Sequence, residues 1–225
     1  MNKLLSAFVL CCFAFAPGAL VAGQTSPGQT AAPVPDEELF RAVENADTGT
    51  LAQLLAQGAH VDAQNDRGYT LLMDAVGLNH TDIVKLLLDK GANPTLSDKT
   101  GRTALHYAAI TGNLEAAQLL LEKKAPVDAK DEGAFTPLMY SIASHNLELV
   151  NLLLDKSADV KAHDAHGFTS LMAAAAGGWT EIVKTLLDHG AAVNDKTNDG
   201  TTALILATGN HFTDLADLLR AKSAQ

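Results

Sequence analysis

Eight histidines are spread over the 225 residues, and imidazole is both a common metal ligand and the side chain best suited to proton transfer near neutral pH. His163 and His166 stand three apart and could share a weak surface ion, but a solvated polar turn accounts for them much better. His80, His145 and His211 are each separated by about two units of the repeat described below. Helices stack at about 8–10 Å, so roughly 20 Å divides these rings, too far for one ion that needs ligands at about 2 Å. Cys11 and Cys12 both lie in the apolar N-terminal segment, so the remainder of the chain is expected to lack a disulfide, a thiol nucleophile and a thiolate ligand. No nucleophile has a base and an orienting partner in sight, and no Gly-rich phosphate loop occurs, because the glycines recur at one fixed interval. The sequence therefore predicts a non-enzymatic protein with no catalytic residue, no metal and no cofactor.

The elements that position these residues start after an N-terminal leader. Lys3 supplies a positive start, Leu4 to Ala16 an apolar run, and Leu20-Val21-Ala22 a small-residue cleavage site, so residues 1–22 read as a secretory signal peptide. The apolar run approaches the roughly 20 residues of a spanning helix, but Pro17-Gly18 interrupts it, and a Pro/Ser/Thr-rich linker over residues 23–35 follows. The expectation is a periplasmic or secreted protein with no membrane insertion after cleavage. Leu10 and Cys11 stand where a lipid-anchor signal would need a small residue. A hydrophobic content of 47% excludes disorder throughout, and the net charge of −10 makes nucleic acid a poor partner, since phosphate backbones seek basic surfaces.

Displacing the sequence by 33 residues aligns Thr70, Thr103, Thr136, Thr169 and Thr202, and likewise Leu39, Leu72, Leu105, Leu138, Leu171 and Leu204. Three residues after each Leu comes a small side chain: Ala42, Ala75, Ala108, Ser141, Ala174 and Ala207. The two share one helix face, and the small residue lets the next helix approach closely. Each Thr is placed to cap a first helix of about ten residues, and Pro137 fits its first turn, where a missing N–H is harmless. A second apolar stripe follows, as in Ile83-Val84 with Leu87-Leu88, and closes on Gly58, Gly91 and Gly190. Lys124 and Ser157 replace the closing glycine in two units, and Ala134 replaces the glycine on which the intervening turns otherwise pivot.

This pattern resembles the ankyrin repeat, with Thr103-Ala104-Leu105-His106-Tyr107-Ala108-Ala109 its nearest copy of the Thr-Pro-Leu-His-x-Ala signature. The resemblance implies an all-α solenoid of about six helix-turn-helix units with β-hairpin-like fingers, over residues 36–225. The units would be 36–64, 65–97, 98–130, 131–163, 164–196 and 197–225, with the first lacking a finger and Arg220 marking the last as a cap. It also implies that His106 is structural, and that the fingers and first helices form a concave face that meets another protein. Immediately before each capping Thr stand Tyr69, Arg102, Phe135, Phe168 and Thr201, an expected exposed column rich in the residue types that dominate binding hot spots. Stacking of these rings on neighbouring fingers is the competing reading. Leu78 and Ile110, near the ends of first helices, would extend the site. Tyr107, Tyr140, Trp179 and Phe212 are expected to pack.

The function implied is a monomeric protein-interaction scaffold in the periplasm. The alternatives are an immunity or inhibitor protein that neutralises a cell-envelope toxin or enzyme, and an accessory of oxidative-stress defence; fold alone does not decide among them.

Overall fold

The computed structural model describes residues 34–223. The segment expected to be a signal peptide, both cysteines and the expected linker up to residue 33 lie outside the described residues.

The described chain forms twelve helices in successive pairs: α1 (Asp36–Glu44) with α2 (Thr48–Ala56), α3 (Leu71–Gly77) with α4 (Thr81–Asp89), α5 (Ala104–Thr111) with α6 (Leu114–Glu122), α7 (Pro137–Ala143) with α8 (Leu147–Asp155), α9 (Ser170–Gly177) with α10 (Thr180–Asp188), and α11 (Ala203–Gly209) with α12 (Thr213–Ser223). The odd-numbered helices pack in a row, α1 on α3 and onward to α9 on α11, and α2 to α10 form a second row behind them. This is an all-α solenoid. Its core is continuous because the Leu and small-residue columns fill the space between neighbouring first helices. Leu39, Leu105 and Leu138 are wholly buried, as are Ala75, Ala108, Ala174 and Ala207. Ser141 satisfies its buried hydroxyl by donating to the Leu138 carbonyl at 2.7 Å.

The capping threonines take the expected role. Thr70, Thr136, Thr169 and Thr202 accept from the N–H groups three residues on, at 3.2–3.4 Å. In the third pair His106 Nδ1 instead accepts from the Thr103 N–H at 3.0 Å, while its Nε2 donates to the Phe135 carbonyl at 3.1 Å on the next finger. Burial, its dominant influence, holds His106 below the ordinary histidine range, which keeps the neutral ring that this pair of bonds requires.

The first helices are shorter than the ten residues expected. From α3 on, they span only seven or eight, because each chain turns at a left-handed residue before the second helix. The positions are Ala46, Asn79, Gly112, His145, Gly178 and His211, with φ between 54° and 72°. Second helices end as expected on Gly58, Gly91 and Gly190 at φ 88–93°, and Lys124 and Ser157 are forced into the same region at φ 63° and 65°.

Isolated β-bridges, Gln64 to Thr70, Ser97 to Thr103 and His163 to Thr169, close three of the fingers. Backbone bonds run from finger to finger: Lys99 N–H donates to the Arg67 carbonyl at 3.1 Å, Glu132 to Thr100 at 2.9 Å, Ala165 to Gly133 at 3.2 Å and Asn198 to His166 at 2.9 Å. At Gly101 a Cβ would lie 3.0 Å from the Asp131 backbone, so glycine serves there for space as well as for its φ of 82°, whereas Ala134 takes the same register of the next finger at φ 63°.

Candidate binding face

Each of the first four fingers is organised by an acidic or amide side chain that takes two backbone N–H groups, and in the fifth the Thr197 hydroxyl takes the Thr201 N–H at 2.9 Å. Asp98 Oδ1 accepts from Thr100 and Arg102 at 2.7 and 3.0 Å, Asp131 Oδ1 from Gly133 and Phe135, both at 2.9 Å, and Asp164 Oδ1 from His166 and Phe168 at 2.8 and 2.7 Å. Asn65 does the same for Arg67 and Tyr69. The second oxygen of Asp98 receives the Tyr107 hydroxyl at 2.5 Å, and that of Asp131 the Tyr140 hydroxyl at 2.6 Å. Tyr107 and Tyr140 are thus packed, as expected, and also act as struts between first helix and finger. Burial alone would raise Asp98, but the Tyr107 and Thr100 hydroxyls and the backbone donors outweigh it and hold the carboxyl below its ordinary range. Burial raises the Tyr140 phenol to about 12, and the Tyr107 phenol is pushed up more strongly by burial and its bond to Asp98.

The column before the capping threonines sits on this frame, and its members are half-buried where the sequence suggested exposure. The Tyr69 ring lies 5.2 Å from Tyr107, and Phe135 lies 5.9 Å from Tyr140. The Arg102 guanidinium lies 5.4 Å over the Tyr140 ring, with its Nε 3.5 Å from Asp131 Oδ2. Phe168 packs against the core, next to a position where Ala173 replaces the tyrosine of the two preceding pairs. Tyr69 and Arg102 reach to the first helix of the next pair and Phe135 folds onto its own, so the aromatic column builds the face as much as it decorates it. The charged fingertips, Asp66, Arg67, Lys99, Glu132 and Asp199, are the exposed part.

Leu78 is 39% exposed and, with Ile205 at 55%, is a large apolar side chain left open to solvent. Ile205 occupies the register of Met73, His106, Met139 and Met172, which the following pair covers; after α11 no finger follows among the described residues. Ile110 is half-buried and stands in the register of Gly77, one position away from that of Leu78. Asp74 lies on the same helix face as Leu78, four residues earlier. Burial first, then the Glu44 carboxylate, raise Asp74 to about 6, and His80 offsets part of this.

Trp179 and Phe212 pack as expected. Trp179 stacks on His145 with centroids 4.8 Å apart and planes at 15°, and Phe212 lies so close to Gly178 that a Cβ there would meet its ring at 2.6 Å. Among the described residues no group of three or more His, Cys, Asp or Glu side chains is placed to hold a metal ion, and no helix is long and apolar enough to cross a membrane.

The finger acids are the residues that sequence reasoning passed over. Their signal was present as an Asp nine positions before a Tyr, at Asp98 and Tyr107 and again at Asp131 and Tyr140. Comparison with protein families gives a match to the model described as ankyrin repeats (3 copies), over residues 39–131, 95–164 and 138–225. A search of curated proteins finds no match.

Proposed function

The chain belongs to the ankyrin-repeat family, a protein-interaction fold, and on that premise we propose that it is a non-enzymatic scaffold that binds another protein through the face built by its fingers and first helices. The observation that carries this reading is the union, on one face, of half-exposed aromatics, the Arg102 guanidinium and a line of charged fingertips, on fingers tied to the first helices by the Tyr107–Asp98 and Tyr140–Asp131 hydrogen bonds. A rigid surface of this kind binds without first losing conformational entropy. Tyr, Phe and Arg supply the anchoring area, and the fingertip charges supply choice of partner.

The site of action in this proposal is the periplasm, supported by the leader read in residues 1–22. The scaffold works as a monomer there, its long solenoid edge offering enough surface for an interface of ordinary size, about 800 Å² per partner.

The test uses the mature chain to capture its partner from a cell-envelope fraction and then measures affinity. Phe135→Ala combined with Phe168→Ala is expected to weaken binding at least about tenfold, while Asn151→Ala on an outer helix leaves it unchanged. A folded double variant that binds with native affinity overturns the assignment of this face.

A further inference from the structure

The second and third fingers carry a short bond that the fourth lacks. Asp98 and Asp131 each take two backbone N–H groups through Oδ1, and through Oδ2 the hydroxyl of a tyrosine nine residues on, at 2.5 Å from Tyr107 and 2.6 Å from Tyr140. Asp164 repeats the first part, with Oδ1 accepting from His166 and Phe168 at 2.8 and 2.7 Å. Those two bonds orient the carboxylate, so its Oδ2 is aimed at the register that the two tyrosines occupy. Ala173 stands there. The first and fifth fingers have no carboxylate to serve, since Asn65 and Thr197 replace it.

Asp164 is therefore a buried acid with an unserved oxygen. It is 5% exposed, and its Oδ2 makes no hydrogen bond or ion pair within the described residues. Ala173 ends at its Cβ and is half-exposed, so the register that a phenol fills in the two preceding pairs opens here to solvent. The flanks follow the same register. Tyr140 has Phe135 at 5.9 Å from its own finger and the Arg102 guanidinium at 5.4 Å from the finger before. Ala173 has Phe168 and Phe135 in those two places, both half-buried.

We propose that Ala173 and Asp164 form a slot, walled by Phe135 and Phe168, that receives a tyrosine side chain of the protein partner, whose hydroxyl donates to Asp164 Oδ2. This rests on the binding reading given above and names the side chain that is bound. A phenol is the donor that this frame already takes twice, and a buried carboxylate oxygen without a donor is costly. The ring of a tyrosine packs against phenylalanine edges and faces, while its hydroxyl makes a charge-assisted bond to the acid. Phenylalanine would leave the oxygen unserved, and an acidic residue would be repelled. A cation is the poorer match, since Arg102 Nε stands 3.5 Å from Asp131 Oδ2, outside the 2.6 Å bond of the phenol.

The experiment selects binders from a random phage-displayed peptide library against the whole mature chain. The selected peptides are expected to carry a tyrosine, and its replacement by phenylalanine, which removes only the hydroxyl, is expected to weaken binding at least about tenfold. On Asp164→Asn, which keeps the finger's backbone bonds as Asn65 does in the first finger, the tyrosine and phenylalanine peptides should bind within about twofold of each other. Ala173→Tyr fills the slot from within, so affinity for the tyrosine peptides should fall at least about tenfold while the melting temperature stays level or rises. Peptides that lack tyrosine, that tolerate its change to phenylalanine, or that bind Ala173→Tyr unchanged, while still depending on Phe135 and Phe168, overturn the slot and leave the binding face standing. Peptides insensitive to every one of these changes, or a selection that yields none, overturn both.

Discussion

The Tyr107 hydroxyl donates to Asp98 Oδ2 at 2.5 Å, joining a first helix to the finger that leads into it. Asp98 meanwhile holds the finger's shape through its other oxygen, so one carboxylate fixes both the turn and its angle to the helix. Tyr107→Phe removes the donor and leaves half of a buried carboxylate unserved. Hydrogen bonds to charged groups contribute about 1.5–3 kcal/mol, so the variant should unfold about 2 kcal/mol more readily in urea. An unchanged midpoint would show that water replaces the phenol at no loss.

Ser170 is fully buried at the start of α9, and its hydroxyl has no hydrogen-bond partner. The same register holds Leu71, Ala104, Pro137 and Ala203, all apolar, in the other pairs that follow a finger, and only the first pair has a polar residue there, the exposed Glu38. Ser170→Ala deletes an unpaired polar atom with little change of shape and should stabilise the chain by about 1 kcal/mol, or a rise of about 2–4 °C in melting temperature. A fall in melting temperature would reveal a partner for the hydroxyl.

Lys124 closes α6 at φ 63°, a conformation that Gly58, Gly91 and Gly190 adopt freely at the same register. Lys124→Gly relieves strain of about 1–2 kcal/mol and loses some of that gain to the greater freedom of glycine in the unfolded chain. The net expectation is a gain of about 0.5–1 kcal/mol, read by thermal or urea unfolding. A loss would mean that the lysine stem packs more usefully than the backbone is strained.

The repeat was legible because its columns are buried and close-packed. Leu105 and Ala108 have no freedom to vary without opening the core, so their spacing survives in the sequence. The left-handed turn between helices was not legible, since Ala46, Asn79, His145 and His211 share that conformation with Gly112 and Gly178 and share no residue type. Helix length was overestimated for the same reason, as Leu78 continues the apolar pattern of α3 past its end. Exposure of Phe135 and Phe168 was misjudged because it depends on packing, Phe135 folding onto Tyr140 and Phe168 onto the core. Nor does a local pattern encode contacts between fingers such as Glu132 N–H to the Thr100 carbonyl, 32 residues apart in sequence.

Asp74 gives the chain a pH dependence of definite sign. Its native value of about 6 lies above the ordinary carboxylate value of 3.8, so between roughly pH 4 and 6 the native state keeps a proton that the unfolded chain gives up. Stability from this group is therefore complete below about pH 4 and lost as pH rises through 6. Allowing for its partial exposure, the ionised carboxylate destabilises the fold by about 1–2 kcal/mol at pH 8. Asp74→Asn should recover that amount at pH 8 and show no advantage at pH 4, in paired urea titrations. An advantage of equal size at both pH values would assign the effect to packing.

The most direct measurement places a photo-crosslinking side chain at Leu78, on the inner face, and separately at Asn151, on the outer row, and irradiates each mature variant in an envelope extract. Covalent adducts to one partner from position 78, and none from 151, are the predicted result. Adducts from 151 with none from 78 would contradict the claim that the fingers and first helices form the binding surface.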